Sequence, residues 1–324
     1  VTALLLGGAG FIGLHLARRL LAEGHRVTIV DDFSRGRPDP DFAAVRADPA
    51  VTVLAGDLTD PAFYRTLPHG WDQVYLLAAI VGVRNVERDP GRVVRVNTLA
   101  VLHTLDWIAP GERLFFASTS EVYAGGVSAG LVPVPTSERV PVHVEDVRAP
   151  RFAYAISKLL GEAAVAHLGR SGGVPAVVGR FHNVYGPRMG ADHVIPELSL
   201  RAARREDPFR LYGADQYRAF CYVDDAVEAM VRLMSCDAAL GETVHIGNDA
   251  EETNIGDLAK LVLRVAGHQP VLEPVPAPAG SVARRCPDLS RLRALTGFEP
   301  TVTLEEGVRR TFDWYRENYL EVAT

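Results

Sequence analysis

Lysine is nearly missing from this chain. Of 34 basic residues only Lys158 and Lys260 are lysines, the rest being arginine. An ammonium approaches a single oxygen as a compact point charge, whereas a guanidinium is a wide planar fork, so each lysine retained here marks a candidate position. Cysteine is also sparse. Cys221, Cys236 and Cys286 are too few and too scattered for a disulfide framework or a zinc site, which leaves reduced thiols and a cytoplasmic setting as the expectation. No long apolar run exists: the longest, 74–83, falls far short of the ~20 residues that span a bilayer. The first residues run straight into a strand without a charged segment ahead of an apolar core, so no signal peptide is expected. A net charge of −6 provides no general attraction to nucleic acid or anionic lipid. Internal repeats and low-complexity segments are likewise lacking.

What remains is a soluble-type composition, 48% hydrophobic and 23% charged, on 324 residues, enough for one large domain or two joined ones. Strand and helix patterns alternate through the first half. Strands are predicted at 2–6, 27–30, 51–55, 73–77, 114–117 and 174–179, and helices at 11–21, 90–107 and 154–168. This alternation predicts an α/β fold with a parallel sheet covered on both faces. The second half is richer in Pro and Gly, and 273–280 reads as a surface linker. The expected division is a cofactor domain over 1–180, with parts of 220–250, and a smaller substrate-binding domain mainly over 181–324.

Gly7-Gly8-Ala9-Gly10-Phe11-Ile12-Gly13 follows the first strand and opens the first helix. Such a turn lets backbone approach a pyrophosphate, whose charge faces the helix N-terminus. Asp31 closes the next strand, where a carboxylate accepts both ribose hydroxyls and repels a 2′-phosphate, favouring NAD over NADP. Arg35 and Arg37 lie close by and weaken that preference a little. No Lys-Ser/Thr follows the glycines, against a nucleotide-hydrolysing phosphate loop. Asp57 and Leu58 follow the third strand, a place within reach of an adenine, although Asp57 suits a helix N-cap equally well.

Tyr154 and Lys158 are one helical turn apart and share a face. A neighbouring ammonium and a cationic nicotinamide ring both favour a phenolate, making Tyr154 a plausible base for a sugar hydroxyl. Ser118, Thr119, Ser120 and Glu121 sit at a strand end, where open α/β sheets place their ligands. A hydroxyl there hydrogen-bonds the reacting oxygen, and a carboxylate moves a second proton. The histidines, His193 and His245 among them, show no metal spacing.

These motifs, with Leu77-Ala78-Ala79, Asn183-Val184-Tyr185-Gly186-Pro187-Arg188, Arg218-Ala219-Phe220, Tyr222-Val223-Asp224-Asp225 and Pro287-Asp288-Leu289-Ser290, resemble the extended short-chain dehydrogenases/reductases in their nucleotide-sugar-modifying branch. The resemblance spans nearly the whole chain. It implies a Rossmann-type doubly wound sheet holding NAD, a smaller C-terminal nucleotide-sugar domain, and a homodimer through two helices. Carried over by motif, NAD contacts fall to Gly7, Gly10, Phe11, Ile12, Gly13, Asp31, Asp57, Leu58, Leu77, Ala79, Tyr154 and Lys158. Catalysis falls to Tyr154, Lys158, Thr119, Ser120, Glu121 and Arg285.

For the substrate, the resemblance implies Arg84, Asn183, Tyr212, Arg218 and Arg285, while Tyr212 suits a core strand position as well. Ser118-Thr119-Ser120-Glu121-Val122-Tyr123 looks most like the UDP-glucuronate decarboxylases (UDP-xylose synthases). Ser120 stands where the related 4,6-dehydratases carry an acid. Arg285, three residues before Asp288, matches an active-site arginine of the decarboxylase branch and suits a substrate carboxylate. The implied reaction is oxidation of UDP-glucuronate at C4 and loss of CO₂, giving UDP-4-keto-xylose, UDP-xylose or both. The stretch Ile80-Val81-Gly82-Val83-Arg84 looks more like UDP-glucuronate 4-epimerases, which makes 4-epimerisation the alternative. His182 stands where an aromatic is usual in the family.

Overall fold

The computed structural model describes residues 1–35, 39–277 and 281–319. At its centre is a parallel sheet of seven strands. The first six in chain order are β1 (Thr2–Leu6), β2 (Arg26–Asp31), β3 (Val51–Ala55), β4 (Gln73–Leu76), β5 (Arg113–Thr119) and β6 (Ala176–Phe181). The seventh is Thr243–Ile246, and across the sheet the order runs Thr243–Ile246, β6, β5, β4, β1, β2, β3. Strand order reverses between β1 and β4, so their carboxyl ends open a crevice at the sheet's switch point.

Near-continuous apolar strands are needed because both faces are covered. Leu5, Ile29, Tyr75, Phe115 and Val177 face one core, shared with helices Phe11–Ala22 and Val223–Met234. Leu4, Leu6, Val74, Leu114 and Phe116 face the other, shared with helix Pro90–Trp107. Alternate residues of each strand thus serve opposite layers.

The rest of the chain builds a smaller unit beside the crevice. Phe209–Tyr212 pairs in parallel with Leu272–Val275, and Tyr217–Ala219 pairs with Glu252–Asn254 and Arg284–Arg285. Residues 223–246 return to the large sheet, supplying a helix and the seventh strand.

The structure departs from the sequence expectation at three places. The stretch 273–280 is not simply a linker: Glu273, Pro274 and Val275 form a strand, one that tolerates a proline because it lies at the edge of a two-stranded ribbon. Pro278, Ala279 and Gly280 lie outside the described residues, as does Arg37. The strand expected at 174–179 starts only at Ala176 and runs on to Phe181, after Pro175, which lacks an N–H. The helix expected at 154–168 is α-helical over Ala153–Ala164 and then widens into a π-turn, Val165–Gly169. Among the described residues, no helix is long and apolar enough to cross a membrane.

Candidate active site

A cleft of about 2130 Å³ runs along the carboxyl ends of the strands and is walled on its far side by the smaller unit. Every residue the sequence singles out for the site lines it except Arg84. Arg84 is exposed and forms an ion pair with Asp192 at 2.7 Å.

The glycine turn has no room for a side chain at Gly7 or Gly13. Gly7 adopts a φ of +87°, and a Cβ on it would lie 2.5 Å from the backbone nitrogen of Ala78. A Cβ on Gly13 would lie 2.6 Å from the Cα of Gly8, so this glycine lets the helix press on the turn. Gly10 caps helix Phe11–Ala22, and among the described residues no side chain bonds to the helix's free N–H groups. They are therefore open to an anion.

Asp31 braces the turn from below, accepting the N–H of Ala9 at 3.0 Å on one oxygen and that of Phe33 at 2.9 Å on the other. Burial pushes its carboxyl above the usual range, opposed by these two N–H groups. Each oxygen retains lone pairs for ribose hydroxyls. Asp57 accepts both the N–H and the hydroxyl of Thr59 at 2.8 Å, an Asx turn that sets the wall beside Leu58. Leu77 and Ala79 complete this side of the cleft. The cradle that a Cβ would fill, the free helix end and the braced carboxylate together fit a dinucleotide.

Thr119 ends β5, and Ser120 and Glu121 begin the 3₁₀ turn Ser120–Tyr123. Thr119 Oγ1 accepts the Glu121 N–H at 3.2 Å, which fixes the direction in which Glu121 leaves the sheet. Across the cleft, Arg285 meets that carboxylate with both arms of its fork, Nη1 to Oε1 at 2.5 Å and Nη2 to Oε2 at 3.3 Å. Burial raises the carboxyl's pKa, but Arg285, then Arg151 and Arg218, outweigh it and hold Glu121 below its ordinary value. Arg218 is itself pushed down to about 10 by burial and by Arg285. Its Nη1 donates to the Tyr217 carbonyl at 2.7 Å. Asn183, at a left-handed φ of +42°, donates from Nδ2 to the Ala219 carbonyl at 2.9 Å, and this leaves its amide oxygen available. Tyr212 is half exposed at the cleft mouth, not buried in the core.

Tyr154 and Lys158 do share a face, but they do not touch through their polar ends. Lys158 is buried, and its ammonium donates to the Ala117 carbonyl at 2.7 Å while lying 5.9 Å from the centre of the Tyr154 ring. Burial pushes Lys158 down to about 8, opposed by Glu162. Burial and the Glu121 charge both raise the Tyr154 phenol, while Thr119 and Arg35 work the other way. The free protein therefore favours the neutral phenol, and depression of this pKa awaits a cationic ring in the cleft.

Two cleft residues had no role assigned from sequence. Arg188 donates to Asp39 at 2.7 Å and to the Ala9 carbonyl of the glycine turn at 3.3 Å. It ends the quoted Asn183–Arg188 motif, a signal that was available. Arg151 precedes Tyr154 by three residues, and nothing in its local pattern separates it from a surface arginine. Among the described residues no cluster of His, Cys, Asp and Glu is arranged to hold a metal.

A doubly wound sheet, a dinucleotide cradle and a Tyr-Lys pair on one cleft wall define an extended short-chain dehydrogenase/reductase. The chain belongs to the NAD dependent epimerase/dehydratase family, which it matches over residues 3–247. It is 32% identical to a UDP-N-acetyl-alpha-D-glucosaminuronate decarboxylase of Bacillus cytotoxicus, over 97% of each chain. It is also 32% identical to UDP-glucuronic acid decarboxylase 1 of Xenopus tropicalis, over 97% of this chain and 72% of the relative. Among solved structures, a UDP-galactose 4-epimerase superposes with a TM-score of 0.80 at 28% identity, covering 98% of this chain and 100% of its own.

Proposed function

We propose that this enzyme is an NAD-dependent nucleotide-sugar decarboxylase that oxidises UDP-glucuronate at C4, releases CO₂ and yields UDP-4-keto-xylose, UDP-xylose or both. The observation that carries this reading is the Glu121–Arg285 pair, a carboxylate and a fork-shaped cation joined within the cleft that Tyr154 lines. Support comes from the two relatives above, both named as decarboxylases of UDP-linked uronic acids.

Bound NAD supplies the oxidation at C4 and its reversal. The chain's own residues handle protons and charge. Tyr154 takes the C4 hydroxyl proton while Thr119 hydrogen-bonds the same oxygen. The C4 ketone then lies β to the C6 carboxylate, and the electrons released with CO₂ enter an enolate centred on the C4 oxygen. Tyr154, now protonated and disposed by its burial to remain so, donates to that oxygen. Glu121 is held ionised by Arg285 and so makes a poor resident acid. In this reading the pair relays a solvent proton to C5. Arg285 meets the uronate carboxylate or the charge near it, and Asn183, Arg218 and Tyr212 hold the nucleotide end. Residues 1–180 with parts of 220–250 serve NAD, 181–324 mainly the sugar nucleotide, and the enzyme works as a cytoplasmic homodimer.

The test is incubation with UDP-glucuronate, with and without added NAD⁺, following CO₂ and product mass. Release of CO₂ is expected. An isomer of unchanged mass would replace this reading with 4-epimerisation.

A further inference from the structure

Behind the cleft wall lies a buried polar network that the proposed reaction does not use. Glu162 is one helical turn beyond Lys158 and two beyond Tyr154, on the same face. Its Oε1 accepts the Ser118 hydroxyl at 2.5 Å and Arg180 Nε at 2.9 Å, and its Oε2 accepts Arg180 Nη2 at 2.5 Å. Arg180 goes on to donate to the Tyr123 hydroxyl, which meets His245 Nε2 at 2.8 Å. The two strand residues engaged by this helix face are consecutive: Lys158 holds the Ala117 carbonyl, and Glu162 holds the Ser118 hydroxyl. The next residue is Thr119.

We propose that Glu162 is a positioning residue for the Tyr154–Lys158 pair: it supplies the counter-charge for the buried Lys158 ammonium and, through Ser118, fixes the end of β5 that carries Thr119. The inference rests on the functional reading above, but its main test does not.

A buried ammonium needs an anion to remain charged. On its own helix Lys158 has Tyr154 and Glu162. β5 offers it the uncharged Ala117 carbonyl and the Phe116 ring, 5.0 Å away. Helix Pro90–Trp107 contributes the neutral Asn97, which donates to Ser157. The Ser120–Tyr123 turn brings Glu121, whose charge is engaged by Arg285, and Tyr123, engaged by Arg180. The Pro150–Phe152 turn brings Arg151, a further cation, and the π-turn brings His167, which is exposed. β6 brings Arg180, already paired with Glu162. Among the described residues Glu162 is the charge that opposes the effect of burial on Lys158, acting from one helical turn away while it also pairs with Arg180.

The scarcity of lysine makes this directly measurable. With ¹³Cε-labelled lysine the protein gives two signals, Lys158 and the exposed Lys260, whose ion pair with Asp257 makes it an internal reference. In the wild type Lys158 should titrate near 8. In Glu162→Gln the midpoint should fall below that of the wild type, Glu162→Asp should restore most of it, and Lys260 should not move. If Glu162→Gln does not fold with Arg180 unpaired, Glu162→Gln combined with Arg180→Met removes both charges and should still lower the midpoint. An unchanged Lys158 midpoint in the folded variant overturns the proposal. Turnover gives the second readout: the alkaline limb of the Glu162→Gln pH profile should move down with the midpoint, whereas equal loss at every pH means a merely structural role. Failure of the wild type to turn over a uronate would count against the functional reading alone, because the lysine titration still decides this one.

Discussion

Replacing His182 with phenylalanine should stabilise the protein, and should do so more at low pH. His182 is 1% exposed, and neither of its ring nitrogens has a hydrogen-bond partner among the described residues. Its ring centre lies 6.3 Å from that of Tyr123 and 4.5 Å from that of His245, which it meets edge-on. A buried donor or acceptor left unpaired costs about 1–3 kcal/mol, and a neutral imidazole here leaves one of each. Phenylalanine removes both costs but is bulkier. The site is tight, since a Cβ on Gly247 would lie only 3.1 Å from the His182 Cβ, and overpacking costs about 1–3 kcal/mol in return. The expected net gain near neutrality is about 1 kcal/mol, which is roughly 1–2 °C in Tm for a chain of this length.

The pH dependence adds a second, sharper signature. Burial, then His245, Arg285 and Arg180, hold the imidazole well below its ordinary value. The unfolded chain therefore binds a proton below about pH 6.5 that the folded chain does not. Stability from this group is complete above that pH and declines as pH falls from there, by about 1.4 kcal/mol per unit. His182→Phe removes this loss, so the gap between variant and wild type should widen by about 1.4 kcal/mol between pH 7.5 and 5.5. Denaturation at both values, at equal protein concentration, measures it. His245, pushed down to about 3 by burial in the folded protein, contributes alike to both proteins across this range and cancels. A variant less stable than wild type at both pH values, with a constant gap, would refute the argument and imply a bound partner for the ring.

Other perturbations address the site itself. Tyr154→Phe should lower turnover by about 10²–10⁴-fold while leaving NAD binding intact, as separate calorimetric and kinetic assays would show. Gly13→Ala should abolish NAD binding, because its Cβ cannot be placed 2.6 Å from the Gly8 Cα without moving the turn; cofactor retained through purification would count against the cradle. Arg285→Gln should suppress CO₂ release more than it suppresses oxidation at C4, giving a burst of cofactor absorbance at 340 nm without matching CO₂. Parallel loss of both signals would remove Arg285 from the decarboxylation step.

Much of the large domain was legible because its signals are local. The β1 strand, the glycine turn and Asp31 lie within one strand–helix–strand unit, and the physics of close backbone approach names the residues that must be small. Pro90–Trp107 was readable to its ends because Asp89 and Pro90 start it and the pattern runs unbroken to Trp107. The smaller unit was not legible in this way. Its strands are short and pair with partners far along the chain, Tyr217–Ala219 with both Glu252–Asn254 and Arg284–Arg285, so no window of sequence contains the pattern. Arg285 could be named only through a family motif, since the Glu121 it meets lies 164 residues away. Arg84 shows the converse limit. A motif neighbourhood brought it to notice, but on its short helix Arg84 is exposed and paired with Asp192, and does not itself line the cleft.

The electrostatics of the cleft give the proposed roles a physical logic that the motif alone does not. Tyr154 and Glu121 line one cleft yet are displaced in opposite directions, the phenol upward and the carboxyl downward. Groups with separated proton affinities can divide acid and base work, whereas groups with similar ones compete for the same proton. The carboxylate contributes to both displacements: its charge raises Tyr154, and its partner Arg285 keeps that charge in place. A substrate carboxylate drawn to Arg285 would loosen this hold, releasing Glu121 to accept a proton when C5 needs one. Substrate binding would then prepare the relay, and loss of CO₂ would restore the original pair for the next turnover.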